Sequence, residues 1–148
     1  MNANELRIGN LIQIKLGEIE IAKVEELTLQ TENNNQYYIL KTNLLSNNSD
    51  WVDPIDSFEP IPITDEWLLK FGFVKQKNYY KKSTGISSYS WFRRGSHFFT
   101  IEKYDYIDYG ETWHPTLNFD NIINVIQYVH QLQNIYFALR CEELTIKQ

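Results

Sequence analysis

SSYSWFRRGSHFFTIEKY, residues 87–104, alternates along two arms about a Gly-Ser pair. A glycine at the first central position suits a two-residue II′ hairpin turn, where φ must be positive. Centring the turn on Gly95-Ser96 sets Arg94 against His97, Arg93 against Phe98, Phe92 against Phe99 and Trp91 against Thr100. The twofold side-chain period of a strand then sorts the residues onto two faces. Ser90, Phe92, Arg94, His97, Phe99 and Ile101 share one face, and its apolar trio Phe92, Phe99 and Ile101 assigns it to the core. Tyr89, Trp91, Arg93, Phe98, Thr100 and Glu102 share the other, which is expected to face outward.

Working outward, Tyr104–Tyr109 and Thr112–Phe119 predict a second hairpin with Gly110-Glu111 near its turn, made acidic by Asp105, Asp108 and Glu111. Upstream, Phe73–Tyr80 alternates loosely and Ser83-Thr84-Gly85 is a turn signal. Ahead of that, Thr64 is a good N-cap, Asp65 and Glu66 suit the first turn of a helix, and Gly72 is placed to end it. Downstream, Asp120 is an N-cap candidate for a long helix over 121–139. Its stripe is Ile122, Val125, Ile126, Val129, Leu132, Tyr136 and Leu139, at three- and four-residue spacing. Glu142–Lys147 reads as a closing strand or a tail.

The first third has strand character. Leu11, Ile12, Ile14 and Leu16 lead to Gly17, and Ile19, Ile21 and Val24 follow with Glu18, Glu20 and Lys23 between them, which predicts a hairpin. A helix competes over Ile19–Leu27, but the β-branched content favours strand. The polar runs ENNNQ and SNNSD flank a further strand, QYYILKTNLL. In WVDPIDSFEPIPI (51–63), Pro54, Pro60 and Pro62 each remove a backbone donor, so the segment is an edge strand or an extended connector. The expected class is α+β. A β-rich subdomain over 1–59, SH3-like in form, precedes an α+β subdomain over 60–148 with a short helix, antiparallel hairpins and the C-terminal helix.

The 148 residues carry a net charge of −5, yet Lys70–Lys103 holds eight Lys/Arg and a single acid, Glu102. The chain is therefore polarised into a basic, aromatic stretch and an acidic remainder. Ten Tyr and eight Phe suit partly wet aromatic surfaces as well as a core. No long apolar run predicts a membrane span, no signal-peptide pattern is apparent, and the single cysteine, Cys141, points to a reducing cytoplasm.

No motif for catalysis stands out. His97, His114 and His130 form no HxH, HxxxH or HExxH pattern, so no metal site is expected. Cys141 has no nucleophile signature around it, and Asp105, Asp108, Glu111 and Asp120 fit no EF-hand or nuclease spacing. Phosphate-binding glycine loops and the hydrolase elbow are absent, so no cofactor is implied and no enzyme is expected. Three uses of the basic stretch remain. Tyr89, Trp91 and Arg93 could stack bases of single-stranded RNA or DNA while Lys75, Lys77, Lys81, Lys82 and Arg94 meet phosphates. The same set could dock an acidic protein surface. Alternatively the aromatics pack beneath the long helix and the lysines cover that layer.

Three segments, NELRIGNLIQ (4–13), PIPITDEWLLKFGF (60–73) and YVHQLQNIYFALRCEELTIK (128–147), resemble small phage and prophage proteins of Bacteroidetes bacteria. Those proteins tend to have Gly, a natural helix C-cap, where this chain has Cys141, and Cys argues against a left-handed cap. The resemblance implies a cytoplasmic accessory protein of a mobile element, with no enzyme activity and no functional residues to transfer. The partner implied is a host protein or ribonucleoprotein, with inhibition of a defence system such as a CRISPR effector as the concrete case.

Overall fold

The computed structural model describes residues 2–16, 18–76, 86–94, 99–106, 110–117, 120–121 and 125–147. Within these, the side chains of 15, 16, 18, 86–91, 117, 120 and 121 are not described. The chain divides into two compact units, Met1–Pro62 with Tyr128–Glu143, and Ile63–Gln127 with Leu144–Gln148. The first break falls at Pro62, and residues Tyr128–Glu143, which include the C-terminal helix, group with the first unit.

The first unit holds a five-stranded antiparallel sheet of β1 (Leu11–Leu16), β2 (Glu18–Glu32), β3 (Asn35–Leu44), β4 (Asp50–Pro54) and β5 (Phe58–Glu59), in the order β4-β3-β2-β1-β5. Strand therefore wins over helix at Ile19–Leu27. The Pro-containing segment supplies both sheet edges, as the missing N–H donors require: β4 pairs with β3, and β5 with β1, joined through a 3-10 turn at Ile55–Ser57. Ile12, Ile14, Ala22, Val24, Leu40, Leu44 and Phe58 form the core.

The C-terminal helix, α2 (Val129–Arg140), is shorter than the 121–139 expected. Residues Asp120 and Asn121 instead form a strand, and Tyr128 is extended, at φ −131° and ψ 153°. Main-chain bonding explains the late start. The Ile126 N–H goes to the Trp113 carbonyl at 2.8 Å and the Val129 N–H to that of Ile61 at 2.9 Å. The Gln131 side chain then accepts the Tyr128 N–H at 3.2 Å. Val129, Leu132 and Tyr136 are buried as expected, whereas Val125 and Leu139 are exposed. Polar residues of α2 hold the start of β1: Gln133 Oε1 accepts the Leu11 N–H at 2.8 Å, and Asn134 Oδ1 accepts from Asn10 at 2.9 Å. Cys141 does adopt the left-handed conformation, at φ 54° and ψ 27°, contrary to the expectation. Its N–H closes the last turn on the Phe137 carbonyl at 2.7 Å. Residues 143–147 form no strand.

In the second unit, Thr64 caps α1 (Asp65–Lys70), its hydroxyl accepting the Trp67 N–H at 3.3 Å. Gly72 follows at φ +79°, the conformation that placed it there. A second five-stranded antiparallel sheet comprises β6 (Val74–Gln76), β7 (Ile86–Arg93), β8 (Phe99–Tyr106), β9 (Gly110–Leu117) and β10 (Asp120–Asn121), ordered β10-β9-β8-β7-β6. Phe71, Phe73, Phe92, Phe99, Ile101, Trp113 and Ile126 are buried in this unit.

The β7–β8 register differs from the expectation by two residues. Arg93 lies opposite Thr100, Phe92 opposite Ile101 and Trp91 opposite Glu102. A two-residue offset leaves Phe92, Arg93, Phe99, Thr100, Ile101 and Glu102 on their expected faces, because the side-chain period is two. The Gly95-Ser96 turn, His97 and Phe98 lie outside the described residues.

Candidate partner-binding face

The buried side of the second sheet carries Phe92, Phe99, Ile101 and Trp113, with the Phe92 and Trp113 rings 5.9 Å apart. Alternation puts Thr100, Glu102, Tyr104 and Tyr106 of β8, and Thr112, His114 and Thr116 of β9, on the opposite side. Thr100 and Thr116 are buried there and hydrogen-bond to each other. Glu102, Tyr104, Tyr106, Thr112 and His114 are half-buried.

These five residues form a connected set. The Tyr104 hydroxyl donates to Glu102 at 2.7 Å. Its ring meets His114 edge-on at 5.2 Å and lies 6.1 Å from Tyr106. His114 Nε2 shares a hydrogen bond with the Thr112 hydroxyl at 3.1 Å. Burial, then the Glu102 carboxylate, pushes the Tyr104 phenol well above its ordinary value. It is therefore a neutral hydrogen-bond donor across the physiological range. The set offers ring edges and faces, with the polar tips of Tyr104 and His114 hydrogen-bonded, which suits apposition to another surface.

The three lysines of the basic stretch among the described residues, Lys70, Lys75 and Lys103, are ion-paired. Lys75 lies opposite Phe92 and Lys103 opposite Trp113, on the buried side of the sheet. Asp65 accepts from Lys75 at 2.7 Å and from Lys103 at 2.9 Å, and Lys103 also pairs with Glu111. The Lys103 ammonium sits 4.8 Å from the centre of the Trp113 ring. Burial raises the Asp65 carboxyl, but the hydrogen bonds from the two lysines outweigh it and hold the group below its ordinary value. Burial likewise opposes charge on Lys103, and its Glu111 and Asp65 partners hold it above its ordinary value. Lys70 pairs with Glu66 at 2.8 Å. Three cations of the basic stretch thus meet acids from outside it, and residues 65–111 hold eight Lys/Arg against six Asp/Glu.

Of the expected contact residues, the backbone register sets Tyr89 opposite Tyr104 and Trp91 opposite Glu102; their side chains are not described. Arg93, opposite Thr100, and Arg94, just beyond β7, are half-buried. Lys75 is ion-paired, and Lys77, Lys81 and Lys82 lie outside the described residues. Tyr104, Tyr106 and His114 were not among the expected contacts. The signal was present: extending the outward alternation of β8 past Glu102 reaches both tyrosines.

Among the described residues, no three His, Cys, Asp or Glu side chains group as a metal site, and no helix is long and apolar enough to cross a membrane. No protein-family model, curated protein or solved structure matches the chain.

Proposed function

We propose that this is a non-catalytic binding protein of phage type, acting in the host cytoplasm on a host protein or nucleoprotein complex. Inhibition of a defence effector such as a CRISPR complex is its concrete form, with a steric or conformational mechanism. The source is inferred from the three segments that resemble phage proteins. The observation that carries the binding mode is the aromatic face of Tyr104, Tyr106 and His114, with Tyr89 and Trp91 in register beside it. Direct nucleic-acid binding is the weaker alternative, because it relies on a basic stretch three of whose lysines are already neutralised.

The first unit has an SH3-like arrangement in this proposal. Its support is the order β4-β3-β2-β1-β5, with the last strand returning to β1 after a 3-10 turn.

Affinity capture from a Bacteroidetes host lysate, with and without nuclease, tests the function. A host protein retained after nuclease treatment is the expected result. Capture that vanishes with nuclease, together with a salt-sensitive shift of a labelled oligonucleotide by the pure protein, would overturn it in favour of nucleic acid.

A further inference from the structure

β2 and β3 run past the rest of their sheet. β1 pairs with β2 only as far as Lys23, and β4 pairs with β3 only as far as Ile39. The two strands nevertheless stay paired to their turn, with Leu29 against Tyr38, Gln30 against Tyr37, Thr31 against Gln36 and Glu32 against Asn35. These four pairs make a ribbon about 14 Å long, at roughly 3.4 Å per residue. Asn33 and Asn34 close it at φ 51° and 66°, the two left-handed residues of an I′ turn. Among the described residues, no strand pairs with the outer edge of β2 from Glu25 to Glu32.

An open edge is a template for another strand, and such edges are commonly blunted by Lys or Pro. Residues 25–40, EELTLQTENNNQYYIL, contain no Lys, Arg or Pro. The irregularity in β2 lies between Val24 and Glu26, at the root of the ribbon, and leaves Glu26–Glu32 regular. Leu29 is exposed on this run, as are Glu26 and Glu32. Lys41 lies 3.6 Å from Glu25, at the root.

We propose that the β2 edge is a docking arm for an extended Lys/Arg-rich segment of a partner protein, which adds to it as a strand. Main-chain hydrogen bonds would supply affinity, and side chains at alternate positions would supply selectivity. Glu26, Thr28, Gln30 and Glu32 share one side of β2 and Leu29 lies on the other. The complementary segment therefore alternates cationic and apolar residues. A second copy of this chain would bring its own Glu25, Glu26 and Glu32 to an edge that already carries these acids. Twofold antiparallel pairing centred between Thr28 and Leu29 sets Glu25 against Glu32, and like charges directly opposite are destabilising. The arm belongs to the first unit, so this proposal and the one for the aromatic face fail or stand separately.

The probe is a capped peptide alternating lysine and valine, with its glutamate-valine counterpart as control, added to the isotope-labelled full chain. Amide hydrogen exchange is the readout. The lysine peptide is expected to protect amides within Glu25–Glu32, with affinity falling about tenfold or more from low to high salt. Glu26→Lys/Glu32→Lys is expected to abolish the protection; should that variant fold poorly, Glu26→Gln/Glu32→Gln weakens binding without reversing the charge. Protection elsewhere, equal binding of the glutamate peptide, or no protection at millimolar peptide would each overturn the proposal. So would a concentration-dependent dimer that protects the same edge without peptide.

Discussion

His130 lies fully buried on α2, stacked on Tyr128 at 5.7 Å, and neither ring nitrogen has a hydrogen-bond partner. Burial drives the imidazole below its ordinary value, against the pull of the Glu5 carboxylate, 3.6 Å from Nε2. The folded state therefore holds the neutral ring while the unfolded chain takes up a proton as pH falls through about 6.5. The unfolded state binds more protons in that window, so stability is full above it and declines below, at up to about 1.4 kcal/mol per pH unit. His130→Phe should flatten this decline in denaturant unfolding measured between neutral pH and about pH 5. Cys141 has the opposite character, an exposed side chain on a strained backbone. Cys141→Gly should raise unfolding free energy by about 1 kcal/mol, since glycine adopts the left-handed cap without the Cβ penalty. An unchanged or lower stability would show that φ at 141 is not a source of strain.

At the scale of elements, α1 does two jobs. Its first residue, Asp65, is the acid that gathers Lys75 of β6 and Lys103 of β8. Asp65→Asn should cost about 1–2 kcal/mol at neutral pH, the range between an exposed pair and a charge-assisted hydrogen bond. Because the Asp65 carboxyl is held below its ordinary value, that contribution should be lost as pH falls below about 4, where wild type and variant converge. The cap and stop of α1 were legible because Thr64, Asp65, Glu66 and Gly72 act locally. The strands of the first sheet were legible for the same reason, through alternation and the Asn turn. The start of α2 was not, since the Ile126 and Val129 N–H groups donate to, and the Gln127 carbonyl accepts from, main-chain partners remote in sequence. Ile122, Val125 and Ile126 have helical spacing, and nothing local announces the competing bonds. The β7–β8 register was misread for a related reason: Gly95-Ser96 is a plausible tight turn, while the pairing follows Phe92 against Ile101. The ion pairs of Lys75 and Lys103 were invisible because their acids lie outside the basic run.

At the scale of the whole molecule, the charge asymmetry of the sequence is softened on folding. Lys70, Lys75 and Lys103 are matched by Glu66, Asp65 and Glu111, and Tyr104, Tyr106 and His114 gather as an aromatic group on the second unit. We propose that this face, and not its cationic flank, holds the partner. The proposal is tested most directly by capturing the partner from nuclease-treated host lysate with wild type, Trp91→Ala, Tyr106→Ala and Lys81→Glu/Lys82→Glu, each first shown to melt at the wild-type temperature. Loss of capture by the two aromatic variants, with retention by the lysine variant, is the predicted result. Retention by both aromatic variants with loss by the lysine variant would contradict it.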